Sequence, residues 1–166
     1  MRHQDVAWNT WTPTMRATLL FIQQGERLLL IRKKTGLGKG LINAPGGKID
    51  PGESAPQAAV REVIEELGVT PLEARWCGRL RFEFTDGLRL QCQVFHSRFY
   101  TGTPTETREA IPLWCAVDAL PFDEMWADDR VWLPELLAGV PFHLEAIFDA
   151  ERMLDHRLET GAGLCP

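Results

Sequence analysis

Between residues 47 and 69 the chain reads Gly47-x5-Glu53-x7-Arg61-Glu62-Val63-x-Glu65-Glu66-x-Gly68-Val69, which puts three carboxylates and an arginine on one short helix directly after a glycine-rich loop. Seven residue types fixed at ordinary usage recur by chance at roughly 10⁻⁸ per starting position, so the pattern is specific. At about 100° per residue, Glu62, Glu65 and Glu66 share one helical face, and Ala59, Val60, Val63, Ile64 and Leu67 fall on the other. One side is expected to bury and the other to collect charge. Carboxylates this close repel one another unless a cation sits among them, and oxygen donors without a soft ligand suit Mg²⁺ or Mn²⁺. Arg61 lies four residues before Glu65 and can orient it by a charge-assisted hydrogen bond.

The loop upstream, Asn43 to Gly52, contains backbone positions that glycine enters most freely, and its turns can expose carbonyls and amides to a metal or a phosphate. Ser54 is placed to cap the helix and Gly68 to stop it. Arg32, Lys33, Lys34, Lys39 and Lys48 concentrate positive charge just before and within the loop, where a polyphosphate would need it.

Residues 46 to 69 resemble the signature of the Nudix hydrolases at every defined position. The resemblance implies an α/β protein, an α/β/α sandwich around a mixed β-sheet. It also implies hydrolysis, dependent on Mg²⁺ with Mn²⁺ as a substitute, of a nucleoside diphosphate linked to another moiety. By the same carry-over the Gly46 carbonyl and the carboxylates of Glu62, Glu65 and Glu66 are expected metal ligands. Glu109, on a later loop that could reach in, is a further metal or water ligand. Glu65, Glu66, Arg61 and Glu109 form the expected catalytic set, and the general base stays open between Glu65 and Glu109.

From Leu28 to Phe148 the chain resembles, more specifically, the MutT-like oxidised-purine nucleoside triphosphate diphosphatases, which act on substrates such as 8-oxo-dGTP or 2-hydroxy-dATP. The segments that carry this are Lys33 to Gly38, Asn43, Phe82-Glu83-Phe84, Gly102-Thr103-Pro104 and Phe122 to Trp132. The resemblance assigns Asn43, Asp128 and Asp129 to the purine edge, Trp126 to stacking on the base, and Phe82 and Phe84 to the pocket wall. Thr18, Lys33, Lys48 and Leu90 are additional candidates. Two adjacent carboxylates in a partly dry pocket cannot both ionise cheaply, so one is expected to hold a proton and donate a hydrogen bond. The chain departs from its relatives at Leu37 and Ile42, where aromatic residues are common, at Pro45, and at Ala127, which replaces a proline. Two rival readings are a hydrolase of another diphosphate (ADP-ribose, a dinucleotide or a pterin triphosphate) and a module that senses a nucleotide without cutting it. The intact acids oppose the sensor, and the Trp126 to Trp132 segment opposes the other substrates.

The elements that must position these groups fit one globular domain: 166 residues, 45% hydrophobic and 25% charged, suffice for a proper core. We expect an N-terminal arm over 1–14 that packs late or frays, a catalytic domain over 15–150 and a C-terminal extension over 151–166. Strands are expected at Arg16–Ile22, Arg27–Lys33, Arg75–Phe84, Arg89–Tyr100, Leu113–Val117 and Phe142–Phe148, with a loop over Thr101–Pro112. A second helix is expected from Asp128 to Ala138, capped by Asp128 or Asp129, and a short third one from Glu151 to Leu158 before a loose tail.

A net charge of −5 argues against a nucleic-acid polymer as partner and for a small-molecule nucleotide. Cys77, Cys92, Cys115 and Cys165 lack zinc or disulfide spacing, and the four histidines are scattered. The longest apolar run is too short for a bilayer, so the expected setting is cytoplasmic, with no membrane association, as a monomer or weak dimer.

Overall fold

Strands β1 (Met15–Gln24) and β2 (Arg27–Lys33) form an antiparallel hairpin in which Ile22 faces Leu29 and Gln24 faces Arg27. In the computed structural model, which describes residues 1–166, both strands are apolar on both faces. Leu28 and Leu30 enter one core and Leu29 and Ile31 the other. This is why the run reads as continuously hydrophobic rather than alternating.

Seven further strands join this pair: β3 (Ile42–Asn43), β4 (Gly46–Lys48), β6 (Arg75–Phe84), β7 (Arg89–Ser97), β9 (Ala110–Ala116), β10 (Phe142–Asp149) and β11 (Arg152–Thr160). The order is β11-β10-β6-β7-β1-β2-β3, with β4 on β1 and β9 on β2. β1 runs parallel to β7 and β10 parallel to β6, and the remaining pairs are antiparallel, so the sheet is mixed. β5 (Thr70–Leu72) and β8 (Phe99–Thr101) pair separately.

Two helices cover the two faces. α1 (Ala55–Leu67) packs Ala59, Val63 and Leu67 against Leu20, Ile22, Leu29 and Phe95. α2 (Asp129–Ala138) packs Trp132, Leu133 and Leu136 into the larger core on the opposite side. The result is the α/β/α sandwich that the sequence led us to expect.

α1 begins with a reciprocal cap: Gln57 N–H donates to Ser54 Oγ at 3.2 Å, and Ser54 N–H donates to the Gln57 side chain at 2.9 Å. Gly68 ends it in the left-handed region at φ 72°. The division of faces differs from the angular expectation at two positions. Ile64 is exposed, and Glu66 is buried. Glu66 lies about 20° from Ala59 on a helical projection, so it enters the margin of the apolar face and leaves the exposed acidic one.

Other differences have physical causes. Glu151 to Leu158 is not a helix: Glu151 lies in a tight turn with Ala150, φ 53°, and Arg152 to Leu158 belong to strand β11, which pairs with β10. Its side chains are mostly exposed, so no alternation marks it, and pairing with β10 overrides local helix preference. Strand β9 starts at Ala110 rather than Leu113; Pro112 is accommodated because β9 pairs on one side only. The Arg89–Tyr100 stretch breaks at Arg98 into β7 and β8.

The N-terminal arm is pinned rather than frayed. His3 bonds Asp155 and Glu145, and Trp11, 8% exposed, donates its indole N–H to Glu83 at 2.7 Å. The C-terminal tail is held too, by His143 Nε2 at 2.7 Å from the Cys165 carbonyl.

Candidate active site

The glycine-rich segment folds as a strand, β4, laid antiparallel to β1 with Gly46 opposite Leu19 and Gly47 opposite Thr18. Close approach, not unusual dihedrals, is what requires these two glycines. A Cβ on Gly46 would lie 1.9 Å from the Thr18 carbonyl oxygen, and one on Gly47 would lie 2.5 to 2.6 Å from the Glu62 carboxylate. The strand therefore presses its backbone against the acidic side of α1, and Gly46 N–H donates to Glu66 Oε1 at 3.3 Å.

Arg61 organises the acids around it, but mainly through a residue other than Glu65. Its Nε and Nη2 donate to both oxygens of Glu53 at 2.7 and 2.9 Å, a two-pronged contact, and Nη2 also donates to the Lys48 carbonyl at 3.0 Å. Nη1 reaches Glu62 at 2.9 Å and Glu65 at 3.2 to 3.3 Å. The Arg61 bond holds the Glu53 carboxyl down at about 2, aided by the Asp50 N–H. Glu53 belongs to the spaced pattern, yet nothing in linear spacing shows that it folds back eight residues to clamp Arg61.

Glu62, Glu66 and Glu109 bring carboxylate oxygens within 4.8 Å of one another. Glu109 arrives on the loop before β9, which is tied to the end of α1: Thr107 Oγ1 donates to the Glu66 carbonyl at 2.8 Å, and Thr105 N–H donates to the Leu67 carbonyl at 2.9 Å. Burial pushes Glu66 up to about 8 against the pull of the Gly46 N–H, with the charges of Glu62 and Glu109 adding to the rise and Lys33 opposing it. Glu62 is also raised by burial, with Arg61 opposing. Three converging carboxylates, two of them with ionisation opposed by burial, offer the oxygen donor set that a hard divalent cation takes. Glu65, with half its side chain exposed, lies outside this trio on the Arg61 side.

Beside the acids opens a cavity of about 390 Å³. Thr18, Lys33, Asn43, Lys48, Phe82, Phe84, Leu90, Trp126, Asp128 and Asp129, the ten residues expected to meet substrate, all line it, together with Gly46 and Gly47. The register explains the gathering: Phe82 on β6 is directly opposite Leu90 on β7, and Cys92 on β7 is beside Ala17 on β1. Trp126 packs edge-on against Phe84 and Phe148, with centroids 6.2 and 5.5 Å apart. The loop before β3 lies on Trp126 so closely that a Cβ on Gly38, at φ +79°, would approach its indole nitrogen to 2.8 Å.

Asp128 and Asp129 are 1% and 2% exposed. Asp128 Oδ2 accepts the Trp132 indole N–H at 2.7 Å, but Asp128 Oδ1, Asp129 Oδ2 and Thr18 Oγ1 are buried without any partner in the protein. Neither aspartate side chain caps α2, contrary to the sequence reading. Burial pushes Asp128 up to about 6 against the Trp132 bond, and burial plus the Asp128 charge push Asp129 well above the usual range. Buried polar atoms left unpaired are rare in folded proteins, and three around one cavity mark a place for a ligand with hydrogen-bonding edges.

The remaining wall was not legible beforehand. Met15, Ala17, Leu19, Leu80 and Cys92 line the cavity, and their identities carry no signal without the strand register. Of the noted departures, Leu37 does line the cavity, whereas Ile42 is buried in the core and leaves the wall unaffected.

Residues 13–136 match the NUDIX domain. The chain is 41% identical over 121 residues to an oxidized purine nucleoside triphosphate hydrolase from Danio rerio, covering 72% of this chain and 78% of that protein. It is 39% identical over 126 residues to the protein of the same name from Mus musculus, covering 75% and 81%. Among solved structures, a MutT protein from Bacillus halodurans superposes with a TM-score of 0.79 at 23% identity, over 87% of this chain and 97% of that one, which shows a shared fold.

Proposed function

We propose that this chain, which belongs to the Nudix hydrolase family, hydrolyses oxidised purine (deoxy)nucleoside triphosphates to the monophosphate and pyrophosphate, removing damaged nucleotides from the pool. The observation that carries the reading is the pair Asp128 and Asp129, buried side by side with one unpaired oxygen each, in an aromatic cavity that shares Gly46 and Gly47 with the acidic trio. Both relatives at about 40% identity bear names with this activity.

In the proposed mode, Trp132 favours the charged form of Asp128, so the shared proton resides on Asp129. One carboxylate then accepts and one carboxylic acid donates, which suits a purine edge presenting an added N–H beside a carbonyl. Asn43 provides a further amide, and Trp126 stacks on the base. Lys33 and Lys48, which line the same cavity nearer Gly46, neutralise phosphate oxygens.

A divalent ion, Mg²⁺ with Mn²⁺ as a substitute, held by Glu62, Glu66 and Glu109 with the Gly46 carbonyl, would neutralise phosphate charge and make a water more acidic. Glu65, held by Arg61 but outside the trio, is the residue we assign to take the proton as water adds to phosphorus and the bridging P–O bond breaks. No helix is long and apolar enough to cross a membrane, and we take the protein to act in the cytoplasm as a monomer or weak dimer on free nucleotides.

The test is to incubate the protein with Mg²⁺ and a panel of nucleotides and identify the products. Pyrophosphate released fastest from an oxidised purine triphosphate supports the reading. Faster cleavage of ADP-ribose, a dinucleotide or a pterin triphosphate replaces it with another Nudix activity, and binding without turnover replaces it with a sensor.

A further inference from the structure

A second cavity, of about 410 Å³, lies at the far end of α2 from Asp128, bounded by the segment Leu136–Pro141 and by Gln23, Arg75, His96 and Arg98. It is separate from the first: Thr18 lines one and Gln23 the other, roughly 17 Å apart along β1 at the usual strand rise.

Two guanidiniums and one ring nitrogen in it lack partners. Arg75 and His96 are direct cross-strand partners on β6 and β7, and Arg98 follows two residues later. Neither Arg75 nor Arg98 has an acidic side chain within ion-pair distance, and neither guanidinium makes a hydrogen bond. His96 is 7% exposed. Gln23 donates its amide N–H to the Gly25 carbonyl at 2.9 Å, which fixes the amide so that its oxygen faces His96 Nε2, also at 2.9 Å. Nε2 must therefore carry the ring hydrogen, leaving Nδ1 as a bare acceptor with no partner in the protein. Burial and the charges of Arg98 and Arg75 hold His96 at about 4, so the ring is neutral at physiological pH.

Two unpaired guanidiniums call for an anion, whereas a bare ring nitrogen calls for a hydrogen-bond donor. A single small species meets both demands if it carries negative oxygens and one acidic hydrogen. We propose that this cavity binds a phosphate group retaining one P–OH, free or as a phosphomonoester, with Arg75 and Arg98 holding its charged oxygens and His96 Nδ1 accepting its hydrogen. Sulfate, equal in shape but without a hydrogen at neutral pH, leaves Nδ1 facing an oxygen lone pair and is rejected by the same geometry.

The experiment is an NMR titration of the full ¹⁵N-labelled chain in Mg²⁺ buffer near pH 6, where a phosphomonoester is about half protonated. Inorganic phosphate, methyl phosphate and sulfate are compared at constant ionic strength. Phosphate is expected to shift the amides of Arg75, Cys77, Arg98, Gly139 and Val140, with sulfate at least about tenfold weaker. A response to phosphate alone assigns the free ion, and an equal response to methyl phosphate assigns phosphomonoesters. The double variant R75A/R98A, altered only at exposed side chains, is expected to weaken phosphate at least about tenfold while leaving nucleotide turnover unchanged. Equal binding of sulfate, or shifts confined to Glu62, Glu66 and Glu109, overturns the proposal without touching the hydrolase reading.

Discussion

Trp132 donates its indole N–H to Asp128 at 2.7 Å, and no such donor serves Asp129, so two adjacent buried carboxyls of the same type are made unequal by one tryptophan. The asymmetry decides which of them gives up its proton more readily. It also leaves the cavity with one group suited to accept and one suited to donate a hydrogen bond at the start of α2.

The first prediction concerns this pair. Asp128 is raised from 3.8 to about 6 by burial, so the folded chain holds its proton more tightly than the unfolded one. Its contribution to stability is most favourable below pH 4, falls as pH rises through the window from about 4 to 6, and stays low above it. Asp128→Asn removes this penalty. Thermal melts are expected to show the variant gaining on the parent at pH 7.5 more than at pH 4.5. Its pH–rate profile and its preference among oxidised purines should both change. Unaltered profile and preference would refute the shared-proton account.

A second prediction follows from Gly47, where a methyl group would fall 2.5 Å from the Glu62 carboxyl carbon. Gly47→Ala is expected to displace Glu62 from the trio and to reduce Mn²⁺ affinity and kcat/KM by about 10- to 100-fold. Manganese binding measured by electron paramagnetic resonance, alongside unfolding midpoints, separates a lost ligand from a lost fold.

The acids themselves should divide by function. Glu66→Gln and Glu109→Gln are expected to weaken metal binding, since both belong to the trio, whereas Glu65→Gln should keep the metal and lose mainly kcat. Isothermal titration with Mn²⁺ paired with steady-state kinetics checks this, and equal metal affinity in all three variants would contradict it. Chelation should abolish turnover by the parent, with recovery on adding Mg²⁺.

Arg61→Lys keeps the charge but cannot make the two-pronged bond to Glu53 while also bonding the Lys48 carbonyl. We expect a loss of about 1 to 3 kcal/mol in urea unfolding, together with a fall in kcat as Glu62 and Glu65 lose their common anchor.

At the other end of the sheet, His96 is lowered from 6.5 to about 4, chiefly by burial, so the unfolded chain takes up a proton first on acidification. The sign is opposite to that of Asp128. Stability from His96 is complete above about pH 6.5 and is lost as pH falls towards 4, by up to about 3 kcal/mol. His96→Gln should flatten this acid limb in urea midpoints measured between pH 4 and 7. An unchanged limb would exclude His96 as its source.

The acidic helix, its cap at Ser54 and its stop at Gly68 were legible in the sequence because each depends on neighbours three or four residues away. Those interactions are local, so spacing records them. The hairpin strand Arg27–Lys33, by contrast, read as half-buried, and only the fold shows Leu28 to Ile31 buried on both faces. The cavity-lining residues were picked out only through resemblance to a family. What brings Thr18, Phe82, Leu90 and Asp128 to one cavity is strand register and the crossing of α2 over the sheet, and neither is encoded in spacing. Tertiary structure alone decided that Glu53 rather than Glu65 is the main partner of Arg61, that Glu66 is buried, and that Arg152–Thr160 is a strand. In each case the deciding contact joins residues that lie apart in the chain or depends on which surface is removed from water. Those are consequences of folding that an unfolded string of side chains does not display.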